Sequence, residues 1–297
     1  MFSTDTGTIS TAAGIGCIEP STNSYPSKSQ LYDSPDKDWH GVGASADLMT
    51  LIAPSKSEEK LYISRDGGDI WNILNDNIGE ECVQVICNVD CSEVLVSTDG
   101  NTGNIMKSID GGITFNTITS SANNIGNKDF RGMVANDDFS KIVVTVHNSF
   151  VYHTTDGGAN WAQFGSTISK TWDQIASNPE MTKFAVAQRN DVDATQATIL
   201  GAIWYTLDYG ISWHMFKNAG RKDWMGVAAS PDYTQFIASD AGNGDLYNSI
   251  DSGDTWNILQ AKPGISDSFT YVYWTTDLSR VIVGSCLYCL YSLYCVE

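Results

Sequence analysis

Ser64-Arg65-Asp66-Gly67-Gly68-Asp69-Ile70-Trp71 is one of five copies of a single pattern, Ser/Thr-x-Asp-x-Gly-x-x-Trp/Phe. The others run from Ser108 to Phe115, Thr154 to Trp161, Thr206 to Trp213 and Ser249 to Trp256. The repeated acids are Asp66, Asp110, Asp156, Asp208 and Asp251, spaced by 44, 46, 52 and 43 residues. The aromatics that follow are Trp71, Phe115, Trp161, Trp213 and Trp256. Apolar or aromatic residues precede every copy, as in Leu61-Tyr62-Ile63 and Trp204-Tyr205, and others follow it, as in Ile73-Leu74 and Phe216. The pattern is therefore read as a turn between two short strands. Its carboxylate accepts backbone N–H groups, its Gly takes backbone angles that other residues resist, and its aromatic ring covers the hairpin.

A second repeat lies between these turns: an aromatic, then an acid eight residues later. It reads Trp39…Asp47, Phe130…Asp138, Trp172…Glu180, Trp224…Asp232 and Phe269…Asp277, with Cys82 standing for the aromatic before Asp90. Each acid is followed by a short apolar run such as Ile142 to Val146, the mark of a buried strand bounded by turns. One repeat thus holds strand A, a turn at the acid, strand B, a loop, strand C, the aspartate turn and strand D. That content and length match one four-stranded propeller blade. The expected fold is all-β: a single propeller domain over residues 1–297 with six four-stranded blades. Residues 1–10, which hold the partial copy Ser3-Thr4-Asp5-Thr6-Gly7, would supply the strand completing the last blade. Residues 11–37 read as a loop or strap, and 38–297 as the six strand-A to strand-B repeats. An incomplete, open ring is the competing reading, supported by the weak first copy and the tail Cys286-Leu287-Tyr288-Cys289.

The pattern resembles the Asp-box, or BNR, repeat of sialidases, sortilin-type receptors, xyloglucan-active glycoside hydrolases and the photosystem II assembly-factor family. The resemblance spans nearly the whole chain and implies a fold rather than an activity. In those families the box is a structural hairpin away from the ligand face, so the five aspartates are expected to be structural. A sialidase would also need three clustered arginines. The chain has only Arg65, Arg131, Arg189, Arg221 and Arg280, the first inside a box, and lacks the Phe/Tyr-Arg-Ile-Pro segment. Xyloglucan-active enzymes usually carry two large propellers, more than this chain can hold. The assembly-factor family is associated with a basic patch, whereas this chain is acidic.

There are 17 Lys+Arg against 35 Asp+Glu, a formal charge of −18. Such a field repels phosphate backbones, so no nucleic-acid partner is expected. No stretch is apolar enough for membrane insertion, and the first residues show no signal peptide. The seven cysteines cannot all pair internally; Cys82 and Cys87, on a predicted inner strand, read as buried thiols. Neither a complete metal motif nor a nucleotide or nucleophile motif occurs, so no metal, no cofactor and no catalytic residue is assigned.

The ligand-binding candidates lie where the D–A and B–C loops meet the channel mouth. They are Asp38, Trp39, His40, Glu81, Asp129, Arg131, Trp172, Asp173, Asp223 and Trp224, with Arg189, Asp191 and Asp193 from the long B–C loop between Gln188 and Gly201. Carboxylates interleaved with aromatics suit sugars or cations; packing between blades and turn capping is the structural alternative. The sequence therefore points to a non-catalytic binding or assembly module for a glycan or a protein surface. A glycoside hydrolase using mouth carboxylates such as Asp129 and Asp223, or a structural subunit of a larger particle or filament, are the other readings. An oligomer is compatible with all three.

Overall fold

Short apolar strands separated by turn residues pair with their immediate neighbours in the chain. The result, in a computed structural model, is a series of antiparallel meanders. It describes residues 40–260 except 48, 56–57, 80, 100–101, 121, 123–124, 166–168 and 193–194, and the strand backbones at 11–12, 15–16, 268–274, 281–287 and 290–296. The first sheet holds Gly43–Ala44, Leu51–Ser55, Lys60–Ser64 and Asn72–Asn75; the second holds Cys82–Cys87, Val94–Thr98, Ile105–Ser108 and Asn116–Thr117. The third holds Phe130–Ala135, Ile142–Val146, Val151–Thr154 and Ala162–Gln163; the fourth holds Trp172–Ser177, Phe184–Gln188, Ala202–Thr206 and His214–Met215. The fifth holds Trp224–Ala229, Phe236–Asp240, Asp245–Ser249 and Asn257–Gln260. A sixth has three described strands, Ser268–Trp274, Val281–Leu287 and Leu290–Val296. The first strand of each sheet stands beside the first strand of the next, in chain order. These inner strands line a central channel, and the fold is a β-propeller.

Between the sheets lie apolar layers. Phe184 and Phe236 are fully buried, and each such side chain contributes about 1.5–3 kcal/mol relative to exposure. Residues 1–10, assigned above to the last blade, lie outside the described residues. Within the stretch read as a loop or strap, Thr11–Ala12 pairs with Ile15–Gly16 as a short hairpin, which lies against the sixth sheet. The stretch has no alternating pattern of its own, so its pairing is set by its neighbours.

All five aspartate turns have one geometry. In each, the leading Ser or Thr hydroxyl donates to the Asp Oδ1 and accepts the N–H of the turn's last Gly. The same Oδ1 accepts the N–H four residues on. Each turn is tied to the A–B turn of its own sheet through a backbone bond, such as Gly111 N–H to Ser92 O at 2.8 Å. These bonds hold the carboxyls below the ordinary range, to about 2 at Asp110, Asp156 and Asp208.

The last Gly of the turns in the second to fifth sheets also locks each of those sheets to the one before. Gly210 has φ +76, and a Cβ there would sit 2.4 Å from the ring of Phe164 in the preceding sheet. Gly253 has φ +90, with Phe216 of the fourth sheet at 2.1 Å. A side chain at either position meets both a strained backbone and a neighbouring ring.

Candidate functional site at the channel mouth

The inner strands of the second to fifth sheets begin in the same way. The residue just before each strand offers its carbonyl to the N–H that follows strand B of the same sheet: Asp99 to Glu81, His147 to Asp129, Arg189 to Thr171 and Ala241 to Asp223. The register then slips by a β-bulge, between Phe130 and Met133, Trp172 and Ile175, and Trp224 and Gly226. A bulge bends its strand and re-aims a side chain. Here the bulged residues include Arg131 in the third sheet and Asp173 in the fourth. Gly132 is required at its bulge because a Cβ would lie 2.6 Å from the Asp173 carbonyl.

These elements assemble a charged cluster across three sheets. Arg131 Nη2 reaches Asp129 Oδ2 at 2.9 Å. Arg189 engages Asp223 with both ends of its fork, Nη2 to Oδ2 at 3.1 Å and Nε to Oδ1 at 3.3 Å, and the Asn190 N–H adds a bond to Oδ1 at 2.8 Å. The Asn190 side chain in turn accepts the Gly201 N–H at 3.1 Å, pinning both ends of the long B–C loop. Burial pushes the Asp223 carboxyl up, but the Arg189 and Asn190 bonds outweigh it and hold it below its ordinary value.

Asp173 sits within Coulombic reach of both pairs and is only 3% exposed. Its Oδ1 is buried with no hydrogen-bond partner among the described residues. Burial raises its carboxyl to about 7, although Arg189 and Arg131 pull in the opposite direction. His147, half-buried beside Arg131 and Asp129, is lowered first by burial and then by the Arg131 charge.

Deeper in the channel, Gln174 crosses between sheets. Its Nε2 donates to Val272 O at 2.7 Å, and its Oε1 accepts the N–H groups of Val272 at 3.0 Å and Val227 at 3.2 Å. Gln84 makes a similar reach to Met133 O at 3.0 Å. The two glutamines roof a cavity of about 300 Å³, which extends past Val85 and Ala135 to Cys87 near the A–B turns.

The structure brings together Asp129, Arg131, Asp173, Arg189 and Asp223. Asp191 lies on a short ribbon, Asp191–Val192 with Thr198–Ile199, and its charge reaches His147. Glu81 is exposed at the position equivalent to Asp129, and the His40 N–H donates to Pro54 O at 3.2 Å. Trp172 and Trp224 are corrections: at 2% and 0% exposure they present no ring to a ligand. Their apolar bulk is buried in the core instead: Trp172 is edge-on to Trp204 of its own sheet and shares a cluster with Val143 and Val151 of the third, and Trp224 is edge-on to Tyr247 of its own sheet and shares a cluster with Ala187 and Ile203 of the fourth. Asp38, Trp39 and Asp193 lie outside the described residues.

Sequence reading missed His147 and Gln174. It also missed a row of lysines: Lys128 over Tyr152, Lys170 over Trp204 and Lys222 over Tyr247, each 4.8–5.4 Å from a ring centre. The signal was present as the triplets Lys128-Asp129-Phe130, Lys170-Thr171-Trp172 and Lys222-Asp223-Trp224.

Chemically, the cluster favours recognition over bond cleavage. A hydrolase pair needs carboxylates open to substrate; Asp129 and Asp223 are each engaged by an arginine, and Asp173 is buried. Among the described residues, no group of three or more His, Cys, Asp or Glu side chains is arranged to hold a metal ion. No helix among them is long and apolar enough to cross a membrane.

No protein-family model matches the sequence, and no curated protein matches it. Solved structures do. The GH74 xyloglucanase from Xanthomonas campestris superposes with a TM-score of 0.64 at 13% identity, over 87% of this chain and 47% of that one. The chain thus spans about half the length of that enzyme. YCF48 bound to D1 peptide gives 0.61 at 14% identity, covering 91% of this chain and 81% of that one. A chain of the nidogen/laminin complex gives 0.62 at 10% identity, covering 82% and 87%. At these identities the likeness establishes the β-propeller fold alone.

Proposed function

We propose that this chain is a non-catalytic binding module that takes a protein segment at the channel mouth. The observation that carries the reading is the departure from the repeat at that face. Equivalent bulges carry Val83, Arg131, Asp173, Met225 and Thr270, so two of five positions are ionisable, and the paired arginine and aspartate side chains Arg131–Asp129 and Arg189–Asp223 stay partly open to solvent. Alternating carboxylates and guanidiniums can meet the backbone and the charged side chains of a peptide. Two of the structural neighbours, YCF48 and the nidogen/laminin chain, were solved with a peptide or protein partner. The five aspartate turns are read as Asp-boxes that serve the scaffold.

The test is peptide display against the full chain, followed by hydrogen exchange with the selected peptides. Protection at 129–131, 171–173, 189–191 and 223, with affinity lost in Arg189→Glu, supports the reading. Peptides that bind Arg189→Glu equally well, or that protect only the Asp-box face, count against it. A glycan array run in parallel decides between a protein and a sugar ligand.

A further inference from the structure

The second sheet breaks the repeat at a place far from the mouth. The A–B turns of the second to fifth sheets each contain a residue with left-handed backbone whose side chain is buried: Cys91 (φ 56), Phe139 (φ 52), Met181 (φ 56) and Tyr233 (φ 64). In each, that residue's N–H bonds the carbonyl three residues back, which folds it towards the position four residues earlier. Those earlier positions are Cys87, Ala135, Ser177 and Ala229. Three sheets thus set a bulky side chain against a small one. The second sheet sets a thiol against a thiol: Cys91 is buried in an apolar cluster against which Cys87 packs, and the two side chains interact. Neither is in a disulfide.

Both sulfurs also touch the first sheet. Cys91 Sγ lies 3.9 Å from Thr50 O, and a Cβ on Gly43 would lie 2.9 Å from Cys87 Sγ. The turn that carries them is bonded across the same seam, Ala46 N–H to Val89 O at 2.9 Å. Cys87 lines the channel cavity, which gives a small oxidant a route to it.

We propose that Cys87 and Cys91 are a site of reversible disulfide formation at the seam between the first and second sheets. With hydrogen peroxide as oxidant, one thiolate attacks the peroxide to give a sulfenic acid and hydroxide. The second thiolate then attacks that sulfur, the S–S bond forms and a second hydroxide leaves. The two thiol protons neutralise the two hydroxides, so one peroxide is reduced to two waters as two thiols are oxidised to one disulfide. A thiol reductant reverses the change by exchange. The hydrogen bond with Cys91, and then burial, push the Cys87 thiol well above its ordinary range. The thiolate is therefore scarce, and the reaction is slow compared with that of an exposed, activated cysteine.

The experiment treats the folded full chain with peroxide, alkylates remaining thiols after unfolding, and cleaves on the amino side of Asp90 without reductant. The expected result is a pair of fragments, one carrying Cys87 and one carrying Cys91, joined at two hydrogens below their summed mass and separated by reductant. Fragmentation must place the bond on Cys87, not Cys82. The double variant Cys87→Ser, Cys91→Met copies the Ser177 and Met181 pair of the fourth sheet, so it should fold and yield no joined fragments. Recovery of both cysteines alkylated, of separate sulfinic acids, or of a bond to Cys82 overturns the proposal.

Discussion

The two ends of the channel are made from the same strands, yet one end repeats and the other does not. At the end that carries the aspartate turns, five turns reproduce the same three hydrogen bonds, and the acids of the A–B turns cap their own loops, as Asp138 does by accepting the Ser140 N–H at 2.9 Å. At the mouth, equivalent bulges carry Val83, Arg131, Asp173, Met225 and Thr270. Where positions repeat, side chains answer a shared structural need. Where they diverge on a common backbone, that need is already met, and the residue type is open to selection for something else.

The largest effect expected is at the repeating end. Gly253→Ala should destabilise the fold by about 2–5 kcal/mol, because a strained φ and a clash with Phe216 add together. A melting temperature unchanged to within a degree or two would show that the glycine is not the lock described here.

Next comes Asp173. Its folded carboxyl is raised above the unfolded value, so the native state holds the proton longer. The stability this provides is complete at pH below about 4, declines as pH rises towards about 7 and then levels off. Asp173→Asn should therefore gain on the parent by a few kcal/mol at most at pH 8, and far less at pH 4. Denaturant titrations at the two pH values check this; a gain independent of pH would remove the titration from the account.

Smaller still is Arg189→Ala, expected to cost about 1 kcal/mol of stability because the pair is partly solvated, while abolishing capture of any mouth ligand. Equal losses of stability and binding on the aspartate-turn and mouth faces would erase the contrast between them.

The slightest effect belongs to a single box carboxylate. Hydrogen bonds hold the folded values of these groups down, to about 2 at Asp110, Asp156 and Asp208, so the stability these three supply is present above about pH 4 and is lost as pH falls towards 2. Asp208→Asn should shift the acid midpoint only slightly, since four other turns remain. Acid unfolding by circular dichroism measures it, and a large shift would mean that the boxes act together.

The repeating end was legible in the sequence because its bonds are local. Ser64, Asp66, Gly68 and Ile70 interact within seven residues, so spacing alone reveals the turn. The mouth was partly legible: Asp129, Arg131, Asp173, Arg189 and Asp223 were all named from the blade pattern. For Trp172 and Trp224 the sequence held two readings, ligand contact and packing between blades, and their burial selects the packing; a strand's first residue faces channel or sheet depending on a bulge fixed by its partner strand. Gln174 was invisible for the same kind of reason. Its partners Val227 and Val272 lie far along the chain, and the separations within a single blade say nothing about them.

The Gly locks also give the chain a direction. Phe164 and Phe216 directly follow the outer strands of their sheets and precede in the chain the glycines that receive them. A chain emerging from the ribosome is therefore expected to offer each new hairpin a surface that has already been made. A chain stopped at residue 222 would carry Phe216 without its lid. Proteolysis of that truncated chain should begin at its last sheet and spare the earlier ones.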